Sequence, residues 1–477
     1  MSSLQNQDNL NTKALKAGTV YIVTQFVVRG LTFLVTPLYT RLLSQAQYGQ
    51  IRIYESWLLI LVPLMALGLY RGIERFRYDD PEHFDAYTSS SQTLAYLSIT
   101  AFFLVFLVFS RRLMPFFGMD PFMFGLMYFY VLAFTATLIF QQHEKQLMSY
   151  RRMTLLTVLT MVPAVLLSVL LIYWGKRNGC DGELVSLRLA GYYIPQILGG
   201  IVAAVLIFKE GRTTVHKGYW KYGLAYSLPL VPNQLSMQIM NQSDKIMVQK
   251  MIGDDEAGIF VLATTISFIM WILLDAVWEA FLPWLYEKVT REEREDVARP
   301  WFGLCALLTV ISVLIVLAAP ELIAFLGGAS YREARFLTAP MLLGVLFRFF
   351  SQVYSAMGNY VKRTRPVAAG TVCCMALNVI LNYVCILKWG YMAAAYTTAF
   401  SYLVLMVVQA LIEKRVSGRR LVSLPWMLGL SVLSAGVMTG AMALFRLHWA
   451  VRWAVVVIVG LAVLAAGLCA FRKLKKA

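Results

Sequence analysis

The sequence predicts an all-α polytopic membrane protein with about fourteen transmembrane helices. Three observations carry that class. Of 477 residues, 59% are hydrophobic and 14% are charged, whereas soluble domains carry about 25% charged residues. The apolar residues fall into blocks of roughly 20, each long enough to cross a bilayer as a helix. Short strands of alternating polarity, the signature of a membrane β-barrel, are absent from the sequence.

The blocks centre near residues 29, 61, 99, 131, 162, 197, 234, 270, 311, 346, 378, 402, 432 and 461. The first follows a polar tail, residues 1–16, that holds Lys13 and Lys16. It runs from Ala17 through Pro37 with no small-residue cleavage site after it. That is longer than a signal peptide's apolar region of about 7–15 residues, so it reads as an uncleaved first span. Tyr and Trp near block ends, such as Trp174, Trp220, Trp284, Trp389 and Trp426, read as interfacial anchors.

The net charge of +17 belongs with membrane topology, not nucleic acid. Basic residues crowd alternate loops, for example Arg71, Arg75 and Arg77, then Lys145, Arg151 and Arg152, then Lys288, Arg291, Arg294 and Arg299. The richer set is expected to face the cytoplasm, which puts both termini on the cytoplasmic side of the membrane. Of six cysteines only Cys180 falls in a loop, and no CxxC occurs. The four histidines show no metal-ligand spacing, so neither a metal site nor a cofactor is expected. Walker A, GxGxxG and HExxH patterns are absent, and no loop exceeds about 20 residues, too short for a soluble catalytic domain. The expectation is a transporter and not an enzyme.

A weak internal repeat divides the chain. "PLYTRLLSQAQYGQI" (37–51) and "DKIMVQKMIGDDEAGIF" (244–260) align at an offset of 209, joining span 1 to span 7. The two spans are separated by six, an even number, so the halves point the same way. The expected organisation is a tail (1–16), an N-lobe (17–210), a C-lobe (211–415), and two extra spans with a basic tail (416–477).

Within span 7, "PNQLSMQIMNQSDK" is unusually polar. Gln234, Gln238, Asn241 and Lys245 are spaced to share one helix face. The same offset lands on Gln25, Arg29, Thr32 and Thr36 in span 1. Polar groups in hydrocarbon need partners, so both stripes should face protein or water. For a single amide the ordinary reading is interhelical glue; for Arg29, near mid-membrane, a cavity or an ionic partner is expected. Arg348, four residues before Gln352, could join Arg29 in a cationic cavity or form a structural ion pair. Glu55, Asp275 and Glu279 are intramembrane acids that could couple an ion or act as counter-ions. Asp244 and Lys245 are splayed by about 100° on a helix and should not pair with each other.

The stretches "TPLYTRLLSQAQYGQIRIYESW" and "SLPLVPNQLSMQIMNQSDKIMVQKMIGDDEAGIFVLATTIS" resemble signatures of Wzx-type polysaccharide flippases. The matching positions are Pro37, Arg41, Leu42, Ser44, Tyr48 and Gly49, then Pro229, Pro232, Ser243, Asp244, Gly253, Gly258 and Phe260. The resemblance covers roughly residues 15–415. It places the chain in the multidrug/oligosaccharidyl-lipid/polysaccharide exporter superfamily, with lipid II flippases and MATE drug exporters. It implies two six-helix lobes in a V shape, plus an extra C-terminal helix pair like that of lipid II flippases. The implied activity is flipping of polyprenyl-pyrophosphate-linked oligosaccharide by alternating access, with membrane lipids and polysaccharide polymerase machinery as partners. The rivals are a MATE-like ion-coupled exporter of small molecules and a membrane-embedded polysaccharide polymerase or ligase. Arg29 opposes an organic-cation cargo, and the short outer loops oppose the enzyme.

Overall fold

The computed structural model describes residue 30 and residues 33–361, 363–418 and 420–474, with side chains up to residue 461. The described residues contain helices and turns and no strand. The chain forms two compact units, Met1–Gln242 and Ser243–Ala477. The division lies downstream of the half boundary expected at residue 210.

In the first unit, residues 33–42 are helical. Ser44 then starts helix α1 (Gln45–Met65) through a capping box: its hydroxyl accepts from the Gln47 N–H at 3.2 Å. The Gln47 side chain accepts from the Ser44 N–H at 3.0 Å. The two bonds satisfy backbone donors that a helix start leaves orphaned. The chain breaks at Leu67 and Gly68, with φ of 50° and 61°. Glycine adopts that left-handed conformation freely. A 3₁₀ turn and α2 (Gly72–Asp79) follow, bent 68° from α1. Next come α3 (Phe84–Val108), α4 (Ser110–Phe117), α5 (Pro121–Gln146), α6 (Tyr150–Arg177), α7 (Leu184–Gly211) and α8 (Lys217–Ser227).

Helix α7 is the hub of this unit and packs on α6, α5, α3 and α1. Glycines let it come that close. A Cβ at Gly191 would sit 2.6 Å from Ser168 Cα, and one at Gly200 would sit 2.3 Å from the Ala133 carbonyl oxygen. Small residues at such contacts are how membrane helices gain packing without a hydrophobic driving force.

Helix α9 (Val231–Met251) carries the polar stretch and contains the division between the units. The second unit continues with α10 (Asp254–Thr290), α11 (Ala298–Gly327), α12 (Arg335–Tyr360), α13 (Thr364–Trp389), α14 (Ala393–Ser417), α15 (Leu424–Ala443) and α16 (Trp449–Leu474). Its core helix is α12, packed on α14, α10, α11 and α15. A polar ladder ties α13 to α14: Asn378 Nδ2 donates to Thr398 Oγ1 at 3.1 Å, and Asn382 bonds Thr397. Helices α1 and α10 begin 209 residues apart, the offset of the sequence repeat.

Among the described residues ten helical segments are long and apolar enough to cross a membrane, and eleven if the bent pair α1–α2 is one span. The expected fourteen are reached neither way, for three reasons. Most of the first block lies outside the described residues. Helix α9 is too rich in amides to pass as apolar. The last block offers only the short apolar helix Trp449–Leu461.

Candidate functional site

A cavity of about 190 Å³ opens inside the first unit, among the helical residues 33–42, α1, α5, α6 and α7. Its charged groups are Arg52 and Glu55 from α1 and Arg188 from α7; Tyr39, Tyr130, Tyr192 and Tyr193 form much of the wall. The helix period explains the clustering. Tyr48, Arg52 and Glu55 stand at i, i+4 and i+7 on one face of α1, and Arg188 and Tyr192 stand one turn apart on α7.

Glu55 is shared. Its Oε2 lies 2.9 Å from Arg52 Nη1, and its Oε1 lies 2.8 Å from Arg188 Nη1. Arg52 Nε also donates to the Tyr48 hydroxyl at 3.1 Å. The Arg188 guanidinium sits between two rings, 5.1 Å from the Tyr39 centroid and 4.6 Å from that of Tyr192. Tyr39 is fixed in turn by a 2.5 Å hydroxyl contact with Ser168 on α6. The Arg188 side chain is only 4% exposed, against 19% for Arg52 and 20% for Glu55.

Two guanidiniums and one carboxylate leave a formal charge of +1 in a confined, largely apolar space. Arg188 Nε has no hydrogen-bond partner among the described residues. Its Nη1, although close to Glu55, is not aligned to donate to it. A guanidinium with unused donors in a cluster of surplus positive charge is suited to a phosphate or carboxylate oxygen. The flat aromatic walls add apolar surface with hydroxyl tips, a composition typical of small-molecule pockets.

The sequence-expected residues fall in several places. Gln25, Arg29 and Thr32 lie outside the described residues. Gln234 on α9 accepts from the Tyr70 hydroxyl at 2.7 Å, just past the break in the α1–α2 pair. Gln238, Asn241 and Lys245 are half-buried on the same helix. Glu55 joins Arg52 and Arg188, neither of which the sequence reading singled out. In the second unit Arg348 Nη1 stands 3.6 Å from Asp275 Oδ1, and its guanidinium lies 3.5 Å over the Trp271 ring centroid. Glu279, one turn beyond Asp275, is exposed. Asp244 accepts from the Lys245 backbone N–H at 3.0 Å.

Comparison with solved structures gives the class first. The described fold matches the lipid II flippase MurJ in an inward closed conformation, with a TM-score of 0.69 at 14% identity, over 95% of this chain and 98% of that one. It also matches an inward-facing multidrug resistance MATE family transporter of the MOP superfamily, with a TM-score of 0.63 at 14% identity, over 84% of this chain and 98% of that one. The fold is therefore that of the multidrug/oligosaccharidyl-lipid/polysaccharide exporter superfamily. Within it, the chain belongs to the polysaccharide biosynthesis protein family, whose model matches residues 14–289; the MatE model matches residues 287–384. An uncharacterized membrane protein of Haemophilus influenzae is 22% identical over 370 residues, 70% of this chain and 84% of that one.

Proposed function

We propose that this protein is a flippase for polyprenyl-pyrophosphate-linked oligosaccharide, carrying it across the bacterial inner membrane by alternating access. The carrying observation is the net positive, tyrosine-walled cavity around Arg52, Glu55 and Arg188. A pyrophosphate head group is an anion that bidentate guanidiniums recognise, while its polyprenyl tail needs no polar site. The membership in a polysaccharide biosynthesis family supports a saccharide cargo. On this reading Arg29, Gln25, Thr32, Gln234, Gln238, Asn241, Lys245 and Arg348 are each candidate contacts for the sugar. Asp275 and Glu279 serve as counter-ion or ion-coupling groups, and a polysaccharide polymerase consumes the product. The cavity's positive charge opposes the rival MATE-like export of organic cations.

The test is complementation. The chain is expressed in a bacterium lacking its own flippase but making the matching lipid-linked saccharide. Surface polysaccharide is expected to return with the wild type and to be lost in the Arg52→Ala, Arg188→Ala double variant at equal membrane levels. Equal rescue by the double variant would sink the assignment of this cavity to the head group. Orientation has its own measurement. With both termini cytoplasmic, Cys180 lies outside, and a membrane-impermeant thiol reagent should label it in cells stripped of their outer barrier. Labelling only after permeabilisation would reverse the topology.

A further inference from the structure

We propose a second site in the first unit, a zinc-class divalent cation site built from His143, Glu144 and Glu210, with Asp85 as its supporting carboxylate. It is independent of the cargo cavity. It lies where α5 and α7 end and α3 and α6 begin. No local spacing announces it, because Asp85, His143 and Glu210 are far apart in sequence. The helix ends bring them together, and the candidate donor atoms of His143, Glu144 and Glu210 all lie within 4.8 Å of one another.

The hydrogen bonding of His143 makes the case. Its Nε2 lies 2.8 Å from Asp85 Oδ1. A carboxylate there accepts the Nε2 proton, which in a neutral imidazole leaves Nδ1 as a bare lone pair. Nδ1 faces Glu144 Oε1 at 3.3 Å. With His143 neutral, two acceptors face each other inside protein and call for a cation between or upon them; a second ring proton is the competing way to satisfy the pair. Both residues are buried, at 1% and 0% side-chain exposure. The other oxygen of the same carboxyl, Glu144 Oε2, is buried with no partner among the described residues. Phe84 stacks on the imidazole at 5.0 Å and 3°, which holds the ring in this plane.

The distances suit the metal. Two donors each about 2.0–2.2 Å from a tetrahedral zinc stand roughly 3.3–3.5 Å apart, and Nδ1 and Oε1 already do. A metal-bound imidazole typically donates its other N–H to a carboxylate, the place Asp85 occupies. Three protein ligands would leave one coordination position for water.

Arg152 now stands in for the missing charge. Its Nη1 is 3.3 Å from Glu144 Oε1 and its Nη2 is 2.6 Å from Glu210 Oε1, while its side chain is 42% exposed and can swing into solvent. With neutral His143, the three carboxylates and Arg152 sum to a charge of −2, so a divalent ion balances the cluster. Bound metal would brace the end of α5 against that of α7.

The experiment uses the full chain, purified in detergent and stripped with a chelator. Zn²⁺ is titrated against a competing fluorescent chelator, with thermal unfolding followed in parallel. One ion per chain and a raised Tm are expected. Glu144→Gln and His143→Gln should weaken binding at least tenfold and remove the Tm rise. Asp85→Asn should weaken it by about tenfold, because it touches the imidazole and not the metal. Arg152→Gln separates binding from damage: it should tighten zinc by roughly tenfold, since a competing charge is gone, and a misfolded variant could only lose affinity. The proposal fails if no stoichiometric zinc binds, in which case a proton on His143 supplies the charge. It also fails if Glu144→Gln leaves affinity unchanged, or if His83→Gln abolishes binding, which would locate the ion at the exposed His83–Asp80 pair.

Discussion

In the first unit two guanidiniums, the half-buried Arg52 and the buried Arg188, share the single carboxylate of Glu55; in the second, Arg348 has Asp275 to itself and the face of Trp271 beneath it. The first arrangement carries a surplus positive charge, and the second is balanced. Exposure runs the same way. Glu55 is 20% exposed and held by both arginines at close range, whereas Asp275 is 37% exposed and stands 3.6 Å from its partner. A membrane protein gains little stability from a buried ion pair, because desolvation offsets the attraction. A cluster left with unbalanced charge is suited to a counter-charge supplied from outside, which is why the proposed function places anion capture in the first unit.

The comparison breaks most sharply at Arg188. Arg188→Glu would place two carboxylates against Arg52 and change the cavity's formal charge from +1 to −1. Export in the complementation assay is expected to fall to background, while the equivalent Arg348→Glu should leave measurable export. Equal loss in both would mean that the two clusters are not functionally distinct. The next largest effect falls on stability. Glu55→Ala strands the buried Arg188 and the half-buried Arg52, and losing one partner of a buried ion pair costs about 3–5 kcal/mol. Asp275→Ala strands one guanidinium that keeps its cation–π contact, and should cost about 1 kcal/mol. Thermal unfolding in detergent of the two variants side by side measures the gap. A larger loss from Asp275→Ala would reverse the ranking of the clusters.

A finer distinction lies within the first cluster. Arg52→Lys keeps the charge but loses the two-pronged guanidinium that bridges the Tyr48 hydroxyl and Glu55. Export is expected to fall by roughly tenfold, short of the loss seen with Arg188→Glu, because Arg52 is the more exposed of the two. Wild-type export in Arg52→Lys would show that charge alone suffices at this position.

The helical class was legible because hydropathy reports what the bilayer demands of each segment. The start of α1 was readable though not read, since Ser44 and Gln47 spell a capping box. The break after Met65 was not read, although Pro63 and Gly68 mark it, because the apolar run continues across both. The polar stripe of α9 was visible by its period, yet the partner of Gln234 turned out to be Tyr70, which only the bend of the chain brings near. Arg52 and Arg188 were passed over for a different reason. Each sits singly in an apolar block, and a lone arginine gives no hint of sharing Glu55 with another 136 residues away. The available signal was the i, i+4, i+7 set Tyr48, Arg52, Glu55, a polar face in an otherwise apolar helix. Histidine spacing along the chain is silent on the proposed cation site in the same manner. His143 looks isolated along the chain, and its carboxylate neighbours Asp85 and Glu210 come from two other helices.

The smallest expected effect concerns how Arg188 is aimed. Tyr39 touches it in two capacities: its ring lies under the guanidinium, and its hydroxyl contacts Ser168 Oγ at 2.5 Å. Tyr39→Phe keeps the ring and deletes the hydroxyl. A typical intramolecular hydrogen bond contributes about 1 kcal/mol, and Ser168 keeps its own bond to the Val165 carbonyl at 2.8 Å, so no stranded group adds to the cost. The variant should unfold at a slightly lower temperature and export at the wild-type level. Tyr39→Leu removes the ring as well. It forfeits a cation–π contact of about 1–2 kcal/mol in a desolvated setting, and it frees the guanidinium to turn toward Tyr192 alone. Export should therefore drop with Tyr39→Leu and not with Tyr39→Phe. If both variants lose export alike, the hydroxyl contact to α6 is what positions Arg188, and the aromatic wall is packing only.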